Sequence, residues 1–290
     1  MSEKKHKLII LQLAGMGDTL SLITRMPAML KAHPDHEPVF YLGGFGAASR
    51  LSKEQLEREG YEAKLIRNLT FHNQLPQIQD FLKQKVCKPG DLFMDVSFCE
   101  SIFNNEVPEF HKYEMTFPYR YKIGEPSVEA QELVKQIKEN KSVAIQPLTK
   151  SGNAEGFESD VENGRFWQQK MWEETVHMLH EAGFTPTFTG LKDEDWELKA
   201  YCEAQKIPFI DAMNYNVEDT IFLLQNVSGC IACNSWTWEI TAREQIPTIC
   251  FYTKNHFFIQ NHAQQFNHPF WDTCYIETNC VQTAKATIPP

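Results

Sequence analysis

Residues 7–13 read Lys-Leu-Ile-Ile-Leu-Gln-Leu and run almost directly into Gly15-Met16-Gly17-Asp18. An apolar run this short, closed by glycines, is the pattern of a parallel strand buried on both faces. From Thr19 onward Leu20, Ile23, Met26, Ala28 and Leu30 recur at roughly helical spacing, and the pattern stops before His33-Pro34. Strand, glycine turn and helix together open a doubly wound α/β sheet, a fold that places ligands beyond the carboxyl ends of its strands. Glycines there admit unusual backbone angles and close approach of a ligand. Asp18 falls at the helix start, where a carboxylate either caps amides or projects into a cleft. No Gly-Lys-Ser/Thr follows, so this is not a Walker A loop, and the full Gly-x-Gly-x-x-Gly spacing is missing.

The alternation continues along the chain. Strands are expected at 39–42, 63–66, 92–96, 143–146, 185–189, 208–210, 229–232 and 248–252. Helices are expected at 53–59, 75–86, 125–140, 167–182, 193–205, 217–225 and 235–243, with Gly183 suited to a left-handed cap. Residues 104–126 are aromatic and irregular, and the tail after Thr253 carries no assignable pattern. The expected architecture is α/β, two Rossmann-like lobes with parallel sheets facing a central cleft, divided into residues 1–140 and 141–290.

The 290 residues suffice for two cores. A formal net charge of -10 argues against general attraction to nucleic acid or anionic membranes. Eight scattered cysteines, several inside apolar runs, do not form a disulfide framework. With no secretory core and no run near the ~20 apolar residues of a membrane span, the expected setting is cytoplasmic.

Three further stretches carry candidate chemistry. Thr149-Lys150-Ser151-Gly152 follows an expected strand, and its hydroxyls, amides and lysine suit a diphosphate. Arg165, just before a helix, adds a forked donor for phosphate oxygens. Gly190-Leu191-Lys192-Asp193-Glu194-Asp195 offers a carboxylate for ribose hydroxyls, and acidic residues at a helix start need no metal to explain them. In Asn234-Ser235-Trp236-Thr237-Trp238-Glu239, Ser235 is a candidate N-cap and the amides behind it favour an anion. The tryptophans there either stack on a ligand or pack in the core. Cys230 and Cys233 form one C-x-x-C without a second ligand pair, so no metal is expected.

The order of these segments resembles the heptosyltransferase-like glycosyltransferase family nine, of the GT-B fold. Gly17-Asp18-Thr19-Leu20 with Pro27-Ala28-Met29, Arg165-Phe166-Trp167, Phe188-Thr189-Gly190, residues 230–239 and Ile246-Pro247-Thr248 carry the likeness. The resemblance implies transfer of a sugar from a nucleotide-sugar donor, with inversion, no cofactor and no obligatory metal. It implies that Asp18 is the general base in a lobe whose Gly15 and Gly17 open space for the acceptor, expected to be a saccharide. On the donor side it implies Thr149, Lys150 and Arg165 at the diphosphate, Gly190 and Glu194 near the ribose, and Asn234, Ser235 and Trp236 beside the phosphates. The family's Asp-Ser/Thr-Gly-x-x-His motif is altered, with Asn234 for aspartate, Trp236 for glycine and Glu239 for histidine. Alternatives are a DNA-modifying glycosyltransferase acting on a hydroxylated base, a binding module that has lost catalysis, and a nucleotide-sugar epimerase.

Overall fold

A computed structural model describes residues 5–13, 15–43, 46–66, 75–97, 112–148, 169–192, 194–233, 235–253 and 275–278. The chain divides into two compact units, Met1–Lys122 and Ile123–Pro290.

In the first unit β1 (His6–Leu13) is buried from Leu8 onward, as an apolar run in a central parallel strand requires. It is followed by α1 (Met16–Ala32), β2 (His36–Gly43), α2 (Gly46–Glu59), β3 (Glu62–Leu65), α3 (Leu75–Phe81) with a π turn over Leu82–Val86, and β4 (Leu92–Asp95). The four strands pair in parallel in the order β3-β2-β1-β4. One face of β1 presents Leu11 and Leu13 to Leu75, Ile78 and Leu82. The order reverses beside β1, so its carboxyl end and that of β4 flank a topological switch point, where Leu13 N–H donates to Ser97 Oγ at 3.1 Å.

The second unit runs α4 (Val128–Glu139), β5 (Ser142–Gln146), α5 (Gln169–Glu181), β6 (Thr185–Gly190), α6 (Leu198–Gln205), β7 (Ile210–Met213), α7 (Val217–Leu224), β8 (Gly229–Cys233), α8 (Trp236–Arg243), β9 (Thr248–Thr253) and β10 (Tyr275–Thr278). Its six strands, also all parallel, lie in the order β10-β9-β8-β5-β6-β7. Trp172, Val176, Phe188, Leu198 and Cys202 bury the side of this sheet that α5 and α6 cover. Here the switch point lies between β5 and β8. β10 falls in the tail that carries no sequence pattern; it is added in parallel at the edge, where backbone pairing to β9 supplies what periodicity does not.

The division falls earlier than the expected 140/141. Tyr119 Oη–H donates to Glu59 Oε2 at 2.9 Å, Lys122 N–H to Glu59 Oε1 at 2.9 Å, and Tyr121 Oη–H to Leu20 O at 3.1 Å, tying this segment to the first unit. Burial, and then the charge of Glu59 beside it, push the Tyr119 phenol well above the ordinary tyrosine range. Beyond it Ser127 N–H donates to Asp219 Oδ1 at 2.8 Å and Ser127 caps α4, so that helix belongs to the second unit.

Two helices start elsewhere than expected. α1 begins at Met16, one turn before Thr19, because Asp18 is the third helical residue, reaching back to the amide of the N-cap Gly15, and not the cap itself. α6 begins at Leu198 instead of 193, because Glu194 folds back on Leu191 and both Trp196 and Glu197 take left-handed backbone angles, φ 48 and 59. Gly183 does take a left-handed angle, φ 80, after α5. No described helix is long and apolar enough to cross a membrane.

Candidate functional site

The carboxyl ends of β5, β6 and β8 bring together residues far apart in sequence. Gln146 ends β5 and is 1% exposed, a buried polar terminus directly after the apolar residues Val143, Ala144 and Ile145. Its Oε1 accepts from Ser235 Oγ–H at 2.7 Å and from Thr237 Oγ1–H, and its Nε2 donates to Glu194 Oε2 at 3.3 Å. The same Glu194 oxygen accepts Leu191 N–H at 2.8 Å. Glu194 is 3% exposed, and burying a carboxylate is tolerable only with such donors.

Gly190 completes this corner. Its φ of +121 lies where side chains are strained, and a Cβ there would stand 2.6 Å from Glu194 Oε2 and 3.4 Å from Gln146 Nε2. The next strand along is held too, since Asn214 N–H donates to Gly190 O at 2.8 Å. Thr189, the preceding residue, is buried with its hydroxyl lacking a hydrogen-bond partner.

Ser235 occupies the N-cap position of α8 in extended conformation, but its hydroxyl makes no capping bond. It serves Gln146 instead, which corrects the expectation of an ordinary cap. Trp236 is half-buried, whereas Trp238 is 3% exposed and belongs to the core, so only Trp236 retains a surface for a ligand. Glu239, which stands where the related motif has histidine, accepts from Arg243 Nε at 3.0 Å and Nη2 at 2.5 Å. That guanidinium is 1% exposed, so one helical turn neutralises an acid that would otherwise repel a bound anion.

In the first unit, Gly15 N–H donates to Asp18 Oδ2 at 3.0 Å. Asp18 and Gly17 lie in the first turn of α1, half-buried, and Gly15 caps it with φ −81 and ψ 178. Those angles are open to any residue, so the reason for glycine at 15 is not conformational, contrary to expectation. Behind the turn, Gln12 Nε2 donates to Thr19 Oγ1 at 2.8 Å, and the Thr19 and Ser52 hydroxyls lie 2.8 Å apart.

Of the expected site residues, Gly190, Glu194 and Ser235 are thus brought together, with Trp236 adjoining them on α8. Asp18, Gly15 and Gly17 form a second group in the other unit. Thr149, Lys150, Arg165 and Asn234 lie outside the described residues. Gln146 and Thr237 were missed as members of the site; the signal was a glutamine closing a strand buried at every position. Cys230 and Cys233 are buried thiols, and no metal-binding group of histidine, cysteine and acidic residues occurs among the described residues.

No protein-family model matches the chain, and no curated protein sequence does either. Solved structures do. ADP-heptose LPS heptosyltransferase II of E. coli aligns at TM-score 0.58 and 12% identity over 96% of this chain and 91% of that one. A glycosyl transferase family 9 protein from Veillonella parvula aligns at TM-score 0.57 and 10% identity over 86% and 82%. TibC, a bacterial iron-containing dodecameric glycosyltransferase from enterotoxigenic E. coli, aligns at TM-score 0.52 and 13% identity over 86% and 59%. At these identities the likeness is one of architecture: the chain has the α/β fold, with two parallel sheets, of GT-B glycosyltransferases resembling the heptosyltransferases.

Proposed function

We propose that the protein is an inverting glycosyltransferase that moves a sugar from a nucleotide-sugar donor to a hydroxyl of a saccharide acceptor. The observation that carries this reading is the meeting of Gln146, Gly190, Glu194 and Ser235 at the switch point of the second sheet, in a chain of this fold. The nucleoside ribose lies against Glu194, and the diphosphate lies at the start of α8, where backbone amides favour an anion. Thr149, Lys150 and Arg165, which lie between β5 and α5 in sequence, add hydroxyl and cationic donors.

Asp18 accepts the proton of the acceptor hydroxyl as that oxygen attacks the anomeric carbon from the face opposite the diphosphate. The new glycosidic bond forms as the bond to the diphosphate oxygen breaks, and the departing electron pair is stabilised by the amides and cations. A carboxylate has about four acceptor sites, and the Gly15 amide takes one of those of Asp18. Charge on the leaving group is met by protein donors, and the chemistry requires no cofactor and no metal. Buried thiols at Cys202, Cys230, Cys233 and Cys250 fit a reducing, cytoplasmic setting.

Calorimetric titration with nucleoside diphosphates tests the donor site, and product analysis with labelled nucleotide sugars tests transfer. Oligosaccharide and hydroxylated DNA acceptors run in parallel identify the acceptor class. Absence of any nucleotide binding would sink the reading. A second reading, a binding module without catalysis, is favoured by Asp18 serving its own helix cap and by Glu239 in place of histidine. Transfer to any acceptor excludes it.

A further inference from the structure

We propose that Gln146 is a positioning residue that sets Glu194 against the start of α8 and thereby determines preference for ribose over 2′-deoxyribose in the bound nucleotide. The inference rests on the donor-site reading above and deepens it.

The amide of Gln146 has one chemically consistent orientation. Its Nε2 faces the Glu194 carboxylate, an acceptor, and its Oε1 faces two hydroxyls that donate. Turned over, the amide oxygen would face a carboxylate oxygen, leaving two acceptors in contact in a buried site. Ser235 and Thr237 therefore lock the amide, and the amide in turn holds Glu194. Thr237 is 1% exposed and makes the deep bond, whereas Ser235 is half-buried at the rim. The second anchor of Glu194 is Leu191 N–H, supplied by the backbone directly after Gly190. A Cβ at Gly190 would crowd both Glu194 and Gln146, so this arrangement of the two side chains depends on glycine at 190. A glutamine at the end of β5, the strand between β6 and β8, reaches both the carboxylate after β6 and the hydroxyls after β8. Ribose recognition and diphosphate binding are thus joined through a single side chain.

The test compares affinities for matched ribo- and 2′-deoxyribonucleoside diphosphates by calorimetry. Wild-type protein is expected to prefer the ribose form by about tenfold, the factor carried by one charge-assisted hydrogen bond. Gln146→Met is expected to bring that ratio to within about twofold while diphosphate binding persists. Glu194→Gln should reduce the ratio likewise, and adding Gln146→Met to it should reduce it little further. Thr237→Val removes one lock on the amide with little change of shape and should lower the ratio part of the way, which keeps the test open if Gln146→Met does not fold. A role confined to packing would weaken both ligands equally, so a wild-type ratio retained in Gln146→Met or Thr237→Val overturns the proposal. Wild-type protein that binds both sugars alike overturns the placement of Glu194 at the ribose, and this role with it. Failure of wild-type protein to bind either nucleotide overturns the donor-site reading itself.

Discussion

Each unit has a buried glutamine near the carboxyl end of a strand beside its switch point, next to last in β1 and last in β5, and the two units use it differently. In the first unit Gln12 donates to Thr19, seven residues away, and its Oε1 is buried without a hydrogen-bond partner. In the second, Gln146 bonds Glu194, Ser235 and Thr237, which lie 48, 89 and 91 residues away, with both ends of its amide engaged. The acid follows the same division. Asp18 accepts from the amide of Gly15, three residues before it, so one of its anchors lies at the start of its own helix. Glu194 is held in part across strands, so its position is fixed by the sheet. A group set by local structure remains in place whatever the rest of the unit does, which suits a base that must meet an acceptor. A group set by a network moves when any member moves, which suits recognition of one ligand by many contacts.

The sharpest way to break this comparison is Asp18→Asn. The amide oxygen of asparagine still accepts from Gly15, so folding and nucleotide affinity should hold while turnover falls about 10²–10⁴-fold. Steady-state transfer assays beside calorimetry check both halves of that statement; unchanged turnover removes Asp18 from the chemistry.

A smaller effect is expected from Glu239→Gln. It removes the charge of one partner of the buried Arg243 guanidinium, and denaturant unfolding should report a loss of about 3 kcal/mol. A loss below about 0.5 kcal/mol would mean that this pair is no more than a surface contact.

Gly190→Ala should cost about 1–3 kcal/mol through its left-handed backbone alone. It should also weaken nucleoside diphosphate binding, because Glu194 must swing away from the added methyl group. Gly15→Ala is the matched control in the other unit. There the angles are ordinary and a Cβ stands 3.6 Å from Asp18 Oδ2, so stability should change by only a few tenths of a kcal/mol. Equal losses at the two positions would erase the contrast between the units.

The smallest effect concerns pH. Burial, and then Glu203 nearby, push the Cys202 thiol from about 9 up to about 11. Because the folded form holds this proton more tightly than the unfolded one, the contribution is complete below pH 9 and is lost as pH rises toward 11. Melting temperatures across that window should fall less steeply in Cys202→Ala than in wild type. Parallel slopes would show that other groups carry the alkaline loss.

Much of the fold was legible because its signals are local. Apolar runs closed by glycine marked the central strands, and Gly183 marked the end of α5 through its left-handed cap. The start of α1 was misplaced by one turn because Asp18 accepts from the N-cap amide from the third helical position, and an acid there reads in sequence like a simple cap. The start of α6 was misplaced because acidic residues at 193–195 look like a helix beginning, while burial of Glu194 turns that segment into a loop wrapped on Leu191. The edge strand Tyr275–Thr278 had no periodicity to read, since its pairing to β9 comes from backbone groups common to every residue.

The sequence by itself determined most of the strands and helices, that both sheets are parallel, and that Asp18 stands at the head of the first helix. Each follows from spacing over a few residues, and local sterics and burial act at that range. Only the tertiary structure decided that Gln146, Glu194 and Ser235 share one corner, that Trp238 belongs to the core, and that Glu239 is matched by Arg243 beneath it. The order of strands beside β5 makes that corner, and strand order is set by how whole faces bury against one another, which no short stretch of sequence contains.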